Sequence, residues 1–239
     1  MSSPPAAATP DQRRDIDPAQ FIKSNMRLAP VPSLPEISLY MAHAGSGLRR
    51  LLEPDDGDSD DENAPEPQPP YWAYPWAGGA VLARYVLDRP SVVSGRRVLD
   101  LGAGSGLVGI AAAKAGARQV SAAEIDRNGV VALRLNAAAN GVPIKVIGED
   151  ITSGSPPAVD LVLAGDVFYG EDVARRVIPF LDRCLAEGIG VLVGDPGRAW
   201  LPRARLCLLG EYQVPDVGGN GGGEPKPSGV FAFVPEKIG

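Results

Sequence analysis

The sequence predicts an α/β protein in which a mostly parallel sheet is covered by helices on both faces. Three observations point there. Short runs rich in Val, Leu and Ile alternate with helix-forming stretches from residue 96 onward, as strands joined by helical crossovers do. Residues 96–116, RRVLDLGAGSGLVGIAAAKAG, read as a strand, a glycine turn and a helix, the unit that opens nucleotide-type sites in such sheets. A second apolar run ends in an acid, Glu124, about twenty residues past the glycines, where a ribose-binding carboxylate belongs.

Within that first unit Val98, Leu99 and Leu101 supply the strand, and residues 107–115 are rich in helix formers. Gly102, Gly104 and Gly106 let the backbone bend sharply and approach a ligand. Residues 104–109 also fit the G-x-G-x-x-G of dinucleotide folds. Asp100 separates the two readings. A carboxylate just before the first glycine would repel a pyrophosphate, whereas it suits the ammonium and sulfonium of S-adenosylmethionine. The string VLDLGAGSG resembles the first motif of the class I, seven-strand methyltransferases.

Length and composition bound the rest. At 239 residues the chain holds one domain with extensions, long enough for a full core. No apolar run approaches the 18 or so residues of a membrane helix, and the opening MSSPPAAATPDQRRD lacks a signal-peptide core, so a cytoplasmic protein without a membrane partner is expected. Cys184, Cys207 and the single His43 have no metal-ligand spacing and offer no Cys/His nucleophilic pair, so no metal is expected. Both cysteines read as reduced core residues in helical contexts. Eight acids and no base lie between Glu53 and Glu66 and outweigh the whole net charge of −6. The globular remainder is close to neutral, which gives no support for a nucleic-acid partner.

Taken in order, residues 1–16 are small, Pro-rich and expected to be disordered. Residues 17–52 are expected to form a small N-terminal helical cap: Asp17 caps a short helix with Pro18 at its first position, and residues 35–52 form a second helix-like segment. Residues 53–70 read as an acidic flexible linker. Asp56, Asp58 and Asp60 mimic the start of a calcium loop, but Asp61 stands where glycine is needed and Pro67 where glutamate belongs. Residues 71–239 carry the glycine-turn domain. They open on YWAYPW, four aromatics that either plug the core beneath the cap or lie against the cofactor, followed by a helix over residues 78–87.

Beyond the glycine turn, residues 119–124 form the second strand, ending in Glu124 as the ribose acceptor. Asp126 is expected to cap the next helix, 128–140. Residues 143–147 form a third strand. At its end Asp150 is the candidate acceptor for the adenine amino group, with Ile151 packed on the ring, although Asp150 equally suits an exposed loop. A fourth strand at residues 159–164 stops at GDVFY, helix 171–186 follows, and a strand at residues 189–193 ends in GDPGR. Residues 212–214 and 230–234 are expected to pair as a closing hairpin.

Methyl transfer is an in-line displacement that needs positioning and exclusion of water more than a covalent nucleophile. A lysine acceptor adds a cost, since its neutral form lies roughly 4.6 kcal/mol uphill at pH 7. Asp166 and Tyr169, at the end of the fourth strand, are placed to hold such an amine, Asp166 attracting the ammonium and Tyr169 orienting it. The alternative is that Asp166 caps the next helix and Tyr169 packs.

PYWAYPWAGG, ARYVLDRP, VLDLGAGSG, GDVFY and GDPGR, in that order, resemble the lysine methyltransferases that modify the β-subunit of electron transfer flavoprotein. The resemblance implies a seven-stranded sheet, S-adenosyl-L-methionine as donor and a protein lysine as acceptor, on electron transfer flavoprotein or a ribosomal stalk protein. By position it implies cofactor contacts at Trp76, Asp100, Gly102 and Glu124, and a substrate-side D-x-x-Y at Asp166 and Tyr169. The chain departs from the pattern in the acidic linker, in the order Pro75-Trp76 and in the glycine-rich stretch before the last strand. A small-molecule N-methyltransferase taking a nicotinamide-like amine is the competing reading, and a non-catalytic binding protein of the same fold is a third. A base-modifying enzyme ranks lower, because the fourth strand ends in Asp-Val-Phe-Tyr.

Overall fold

The computed structural model describes residues 16–52, 69–215 and 225–236. The expectations for a disordered start, for most of the acidic linker with its incomplete calcium-loop pattern, and for the glycine-rich stretch at 216–224 lie outside the described residues.

Apolar runs interrupted by glycine turns and capped helices produce the elements in order. Helix α1 (Pro18–Asn25) begins at Asp17, whose side chain accepts the Ala19 amide at 3.0 Å. Strands β1 (Arg27–Val31) and β2 (Leu34–Met41) form an antiparallel hairpin, followed by the short helix α2 (Arg49–Leu52). A 3-10 turn at Tyr71–Ala73 leads into α3 (Ala77–Asp88). Then come β3 (Arg97–Leu101), α4 (Leu107–Lys114), β4 (Gln119–Ala123), α5 (Arg127–Ala139), β5 (Lys145–Ile147), β6 (Leu161–Gly165), α6 (Glu171–Ala186), β7 (Gly190–Asp195), β8 (Leu206–Pro215) and β9 (Pro225–Phe233).

The main sheet has seven strands in the order β5-β4-β3-β6-β7-β9-β8. The first five run parallel, and β9 and β8 close the edge antiparallel. The chain winds outward from β3 through β4 to β5, then restarts on the other side at β6. That reversal opens a crevice beyond the carboxyl ends of β3 and β6, where ligands bind in open α/β sheets.

Alternation along the strands divides the core. Val98, Val120, Leu161 and Leu163 pack with α3 and α4 on one face. Leu99, Leu101, Val162 and Ala164 pack with Phe180 and Leu181 of α6 on the other. Close approach fixes α3 at the crevice, since a Cβ on Gly78 would sit 2.6 Å from the Asp166 amide nitrogen and one on Gly165 would sit 2.8 Å from the Gly79 Cα.

The N-terminal segment is not the all-helical cap that the sequence suggests, for residues 34–41 are a strand. Ile37 and Leu39 are buried on one side while their neighbours are exposed or half-buried, the period-2 signature that the glycines further on obscure. Two asparagines of α5 complete the hairpin's backbone bonding. Asn136 accepts the Tyr40 amide at 2.8 Å, and Asn140 accepts the Ser38 amide at 3.1 Å while donating to the Ser38 carbonyl. A strand whose free edge finds such partners outcompetes an isolated helix.

Cys207 also departs from expectation, lying exposed on β8 and not in a buried helix, whereas Cys184 is buried on α6. The aromatic cluster divides between its two readings. Trp72 is a buried plug against Ile22, Met26 and Ala132 that also borders the crevice, while Tyr71 and Trp76 face the crevice.

Candidate functional site

The crevice holds a cavity of about 440 Å³ at the carboxyl ends of β3, β4 and β6, bordered by the segment before α3 and by α6. Its floor is the glycine turn after β3. Gly102 and Gly104 lie on the cavity with φ of 65° and 52°, left-handed backbone that glycine adopts without strain. A side chain at either position would stand where the turn now presents backbone alone.

Glu124, after β4, accepts the Gly104 amide at 2.7 Å with one oxygen and the Asp126 amide at 2.8 Å with the other. Burial raises its pKa, and these backbone hydrogen bonds oppose the shift. Each oxygen keeps a lone pair for a further donor, so the residue ties the two loops together and remains able to accept hydroxyls. Asp126 caps α5 by accepting from the amides of Asn128 and Gly129. Asp150 lies across the cavity, where it accepts from the Thr152 hydroxyl and amide and pairs with Arg176 at 2.9 Å. The Thr152 hydrogen bond holds its carboxyl below the usual carboxylate range, with Arg176 adding to the effect. Ile151 lines the same wall.

Asp166, following β6, is the sole non-glycine with positive φ, 60°, among the described residues. Its conformation is over-determined. Its amide donates to the Gly194 carbonyl at 2.9 Å, and Oδ2 accepts the Gly78 amide at 2.8 Å. The Arg198 guanidinium bonds Oδ1 through Nε at 2.7 Å and Oδ2 through Nη2 at 3.1 Å. Strained backbone held in this way is a mark of functional positions. Tyr169 stands half-exposed at the rim with its ring 5.1 Å from that of Tyr71. Burial raises its pKa, with smaller contributions from Tyr71 and Glu124, so its hydroxyl stays protonated at neutral pH. Trp76 donates from Nε1 to the Tyr71 carbonyl at 2.6 Å, and Arg198 lies over its ring at 5.9 Å.

Eight of the nine residues singled out in the sequence therefore share one cavity: Trp76, Gly102, Gly104, Glu124, Asp150, Ile151, Asp166 and Tyr169. Asp100 does not join them. It is 1% exposed and turned toward α4, where it accepts the Gly109 amide at 2.7 Å. Burial pushes its pKa up to about 7, against the pull of that hydrogen bond. Alternation explains the miss, since Asp100 shares the face of Val98 while Leu101 faces the cavity side. Sequence reasoning gave no role to Arg198, although it closes the GDPGR motif, or to Arg176. The first had a visible signal, an arginine three residues past a strand-end acid at the same sheet edge. The second had none, as one of several arginines on the polar side of an amphipathic helix.

Among the described residues no group of three or more His, Cys, Asp or Glu is arranged to hold a metal, and no helix is long and apolar enough to cross a membrane. The charge on the cavity wall is lopsided, with five acids (Glu124, Asp126, Glu149, Asp150 and Asp166) against Arg176 and Arg198. The acid excess thus lies in the lining itself and not at Asp100.

Comparison with known proteins places this geometry in context. The family model for ribosomal protein L11 methyltransferase (PrmA) matches residues 82–165. The electron transfer flavoprotein beta subunit lysine methyltransferase of Xenopus laevis is 36% identical over 224 residues, covering 90% of this chain and 86% of the relative. The rat protein of the same name is 38% identical over 172 residues, covering 70% of this chain and 68% of the relative. Among solved structures, a candidate RNA methyltransferase of Pyrococcus horikoshii superposes with a TM-score of 0.50 at 20% identity, covering 67% of this chain and 82% of its own; at that distance the likeness speaks for the fold alone.

Proposed function

We propose, from the premise that the chain belongs to the electron transfer flavoprotein β-subunit lysine methyltransferase family, that this protein-lysine N-methyltransferase binds S-adenosyl-L-methionine in the cavity at the glycine turn and methylates a lysine of an electron transfer flavoprotein β-subunit. The observation that carries the reading is the convergence of Glu124, Asp150, Asp166 and Tyr169, from three separate strand ends, on one cavity.

The residues present fit such a donor. The turn at Gly102 and Gly104 presents backbone without side chains, Glu124 retains acceptor capacity for ribose hydroxyls, and Asp150 with Ile151 offers an acceptor and an apolar face for the adenine. The acid excess suits a ligand with two positive centres. When bound, S-adenosylmethionine supplies an electrophilic methyl group on a sulfonium.

The chain's own residues then have two tasks. They exclude water, through Tyr71, Trp76 and Tyr169 at the rim, and they orient the acceptor nitrogen. In this reading Asp166 accepts a hydrogen bond from the amine and Tyr169 positions it from the side. The match to the ribosomal protein L11 methyltransferase model supports including a ribosomal stalk protein among the acceptors tried.

Incubation with tritiated S-adenosylmethionine and purified electron transfer flavoprotein, followed by mass spectrometry of the labelled band, tests the reading. Label on a β-subunit lysine is expected. Transfer to small amines with none to protein would replace it with a small-molecule activity.

A further inference from the structure

Asp166 does not reach the cavity as a bare carboxylate, because Arg198 already holds both of its oxygens and the Gly78 amide holds one. Three donors on a carboxylate with about four acceptor sites leave room for roughly one more. The arginine is itself fixed from below. Asp195, 1% exposed at the end of β7, accepts the amides of Gly197 and Arg198 at 2.6 and 2.7 Å through one oxygen. Its other oxygen is buried without a hydrogen-bond partner. Arg198 thus rests on a rigid turn with its guanidinium on Asp166, its flank against Trp76 and its edge on the cavity.

This arrangement bears on the central difficulty of lysine methylation. An unpaired carboxylate facing the acceptor would form a salt bridge with the ammonium, raise its pKa and keep its lone pair occupied by a proton. A carboxylate already neutralised by a forked guanidinium has little to gain from a second cation, yet still accepts one hydrogen bond from a neutral amine.

We infer that Arg198 is a positioning residue of the acceptor site: by pairing with Asp166 it makes the site select the neutral form of the incoming lysine, and it aims the carboxylate so that the amine's lone pair stays free. The proton leaves to solvent before transfer, and no group of the protein needs to keep it. This assignment rests on the proposed lysine acceptor and adds the reason that acceptor is reactive at physiological pH.

Other ionisable groups surround the same cavity and are common to the wild type and both variants. Tyr71 and Tyr169 stand at the rim, Glu124 and Asp126 follow β4, and Glu149 and Asp150 face Arg176 of α6. Asp195 lies behind Asp166, and burial pushes its pKa up to about 6. The substitutions change the Asp166–Arg198 pair together with the contact of Arg198 on Trp76.

The test measures initial rates of tritium transfer to electron transfer flavoprotein at saturating donor from pH 6.5 to pH 10, for the full-length wild type, Arg198→Gln and Arg198→Lys. Titration calorimetry with S-adenosylhomocysteine reports on folding and donor-site integrity. In Arg198→Gln the acid limb of the rate profile is expected to move up by about one pH unit, so that the rate falls about tenfold near pH 7 and recovers in alkali. Arg198→Lys keeps the charge and loses the fork, so its limb stays within about half a unit of wild type while the plateau drops. An Arg198→Gln limb that does not move, whatever happens to its plateau, overturns the inference, as does a limb in Arg198→Lys displaced as far as charge removal predicts. Should Arg198→Gln fail to fold, Arg198→Met, which also removes the charge, takes its place beside Arg198→Lys. Absence of transfer by the wild type would count against the proposed acceptor and not against Arg198.

Discussion

The carboxylate of Asp100 accepts the amide hydrogen of Gly109 across 2.7 Å, so the acid of the glycine-turn motif braces the helix behind the turn and does not touch the cavity. Its pKa is pushed up to about 7 by burial, and that of Asp195 to about 6 by the same cause. Both lie above the unfolded values. The native state therefore retains protons that the unfolded chain releases, and stability falls as pH rises from the ordinary carboxylate range through about 7. Asp100→Asn keeps an acceptor for Gly109 and removes the charge. Its stability relative to wild type, measured by urea denaturation, should improve by roughly 2 to 4 kcal/mol between pH 4.5 and pH 8. A difference that stays flat across that range would show that Asp100 is not the group responsible.

Asp166 sits on the acceptor side in the proposed function. Asp166→Asn should lower methyl transfer by about 100-fold while donor affinity, read by calorimetry, changes less than about threefold. Equal losses of both would move Asp166 to the donor side.

Glu124 has the opposite profile. Glu124→Gln retains one acceptor for the Gly104 or Asp126 amide but meets the other with an NH₂ group, and it weakens the ribose contact. Donor affinity should fall at least about tenfold, equivalent to about 1.4 kcal/mol, with the pH dependence of the remaining transfer unchanged. Wild-type affinity in this variant would remove Glu124 from the donor site.

Asn136 is fully buried and joins two distant parts of the chain. It accepts the Tyr40 amide of β2 and donates to the Ser105 carbonyl in the glycine turn. Asn136→Leu leaves both groups buried without partners. A loss of roughly 2 to 4 kcal/mol is expected in chemical denaturation, with faster amide exchange in both the hairpin and the turn. Exchange that speeds up in only one of them would disprove the coupling.

Gly78→Ala tests how tightly α3 sits on the sheet. The added methyl would overlap the Asp166 amide and the Gly194 carbonyl, so α3 must shift and withdraw its amide from the Asp166 carboxylate. Destabilisation of at least about 1 to 3 kcal/mol is expected, together with loss of transfer. Full activity at wild-type stability would mean that this contact does not position Asp166.

Much of this was legible from residue order. The strand–glycine–helix unit, the acid after the second strand and the aspartate after the fourth are local patterns, and local patterns place residues at the carboxyl edge of a parallel sheet whatever the rest of the chain does. The hairpin at residues 27–41 was less accessible. Its strand character depends on Asn136 and Asn140, about a hundred residues away, and no window of sequence contains both partners.

Residue spacing settled which segments meet at the sheet's edge, because strand and helix periods are short-range properties of the backbone. Which way each side chain turns there was a matter of packing between segments. Pleating sent Asp100 toward α4, and a loop from the neighbouring strand brought Arg198 onto Asp166. Charge neutralisation of that kind joins residues 32 positions apart, and it arises only once β6 and β7 lie side by side.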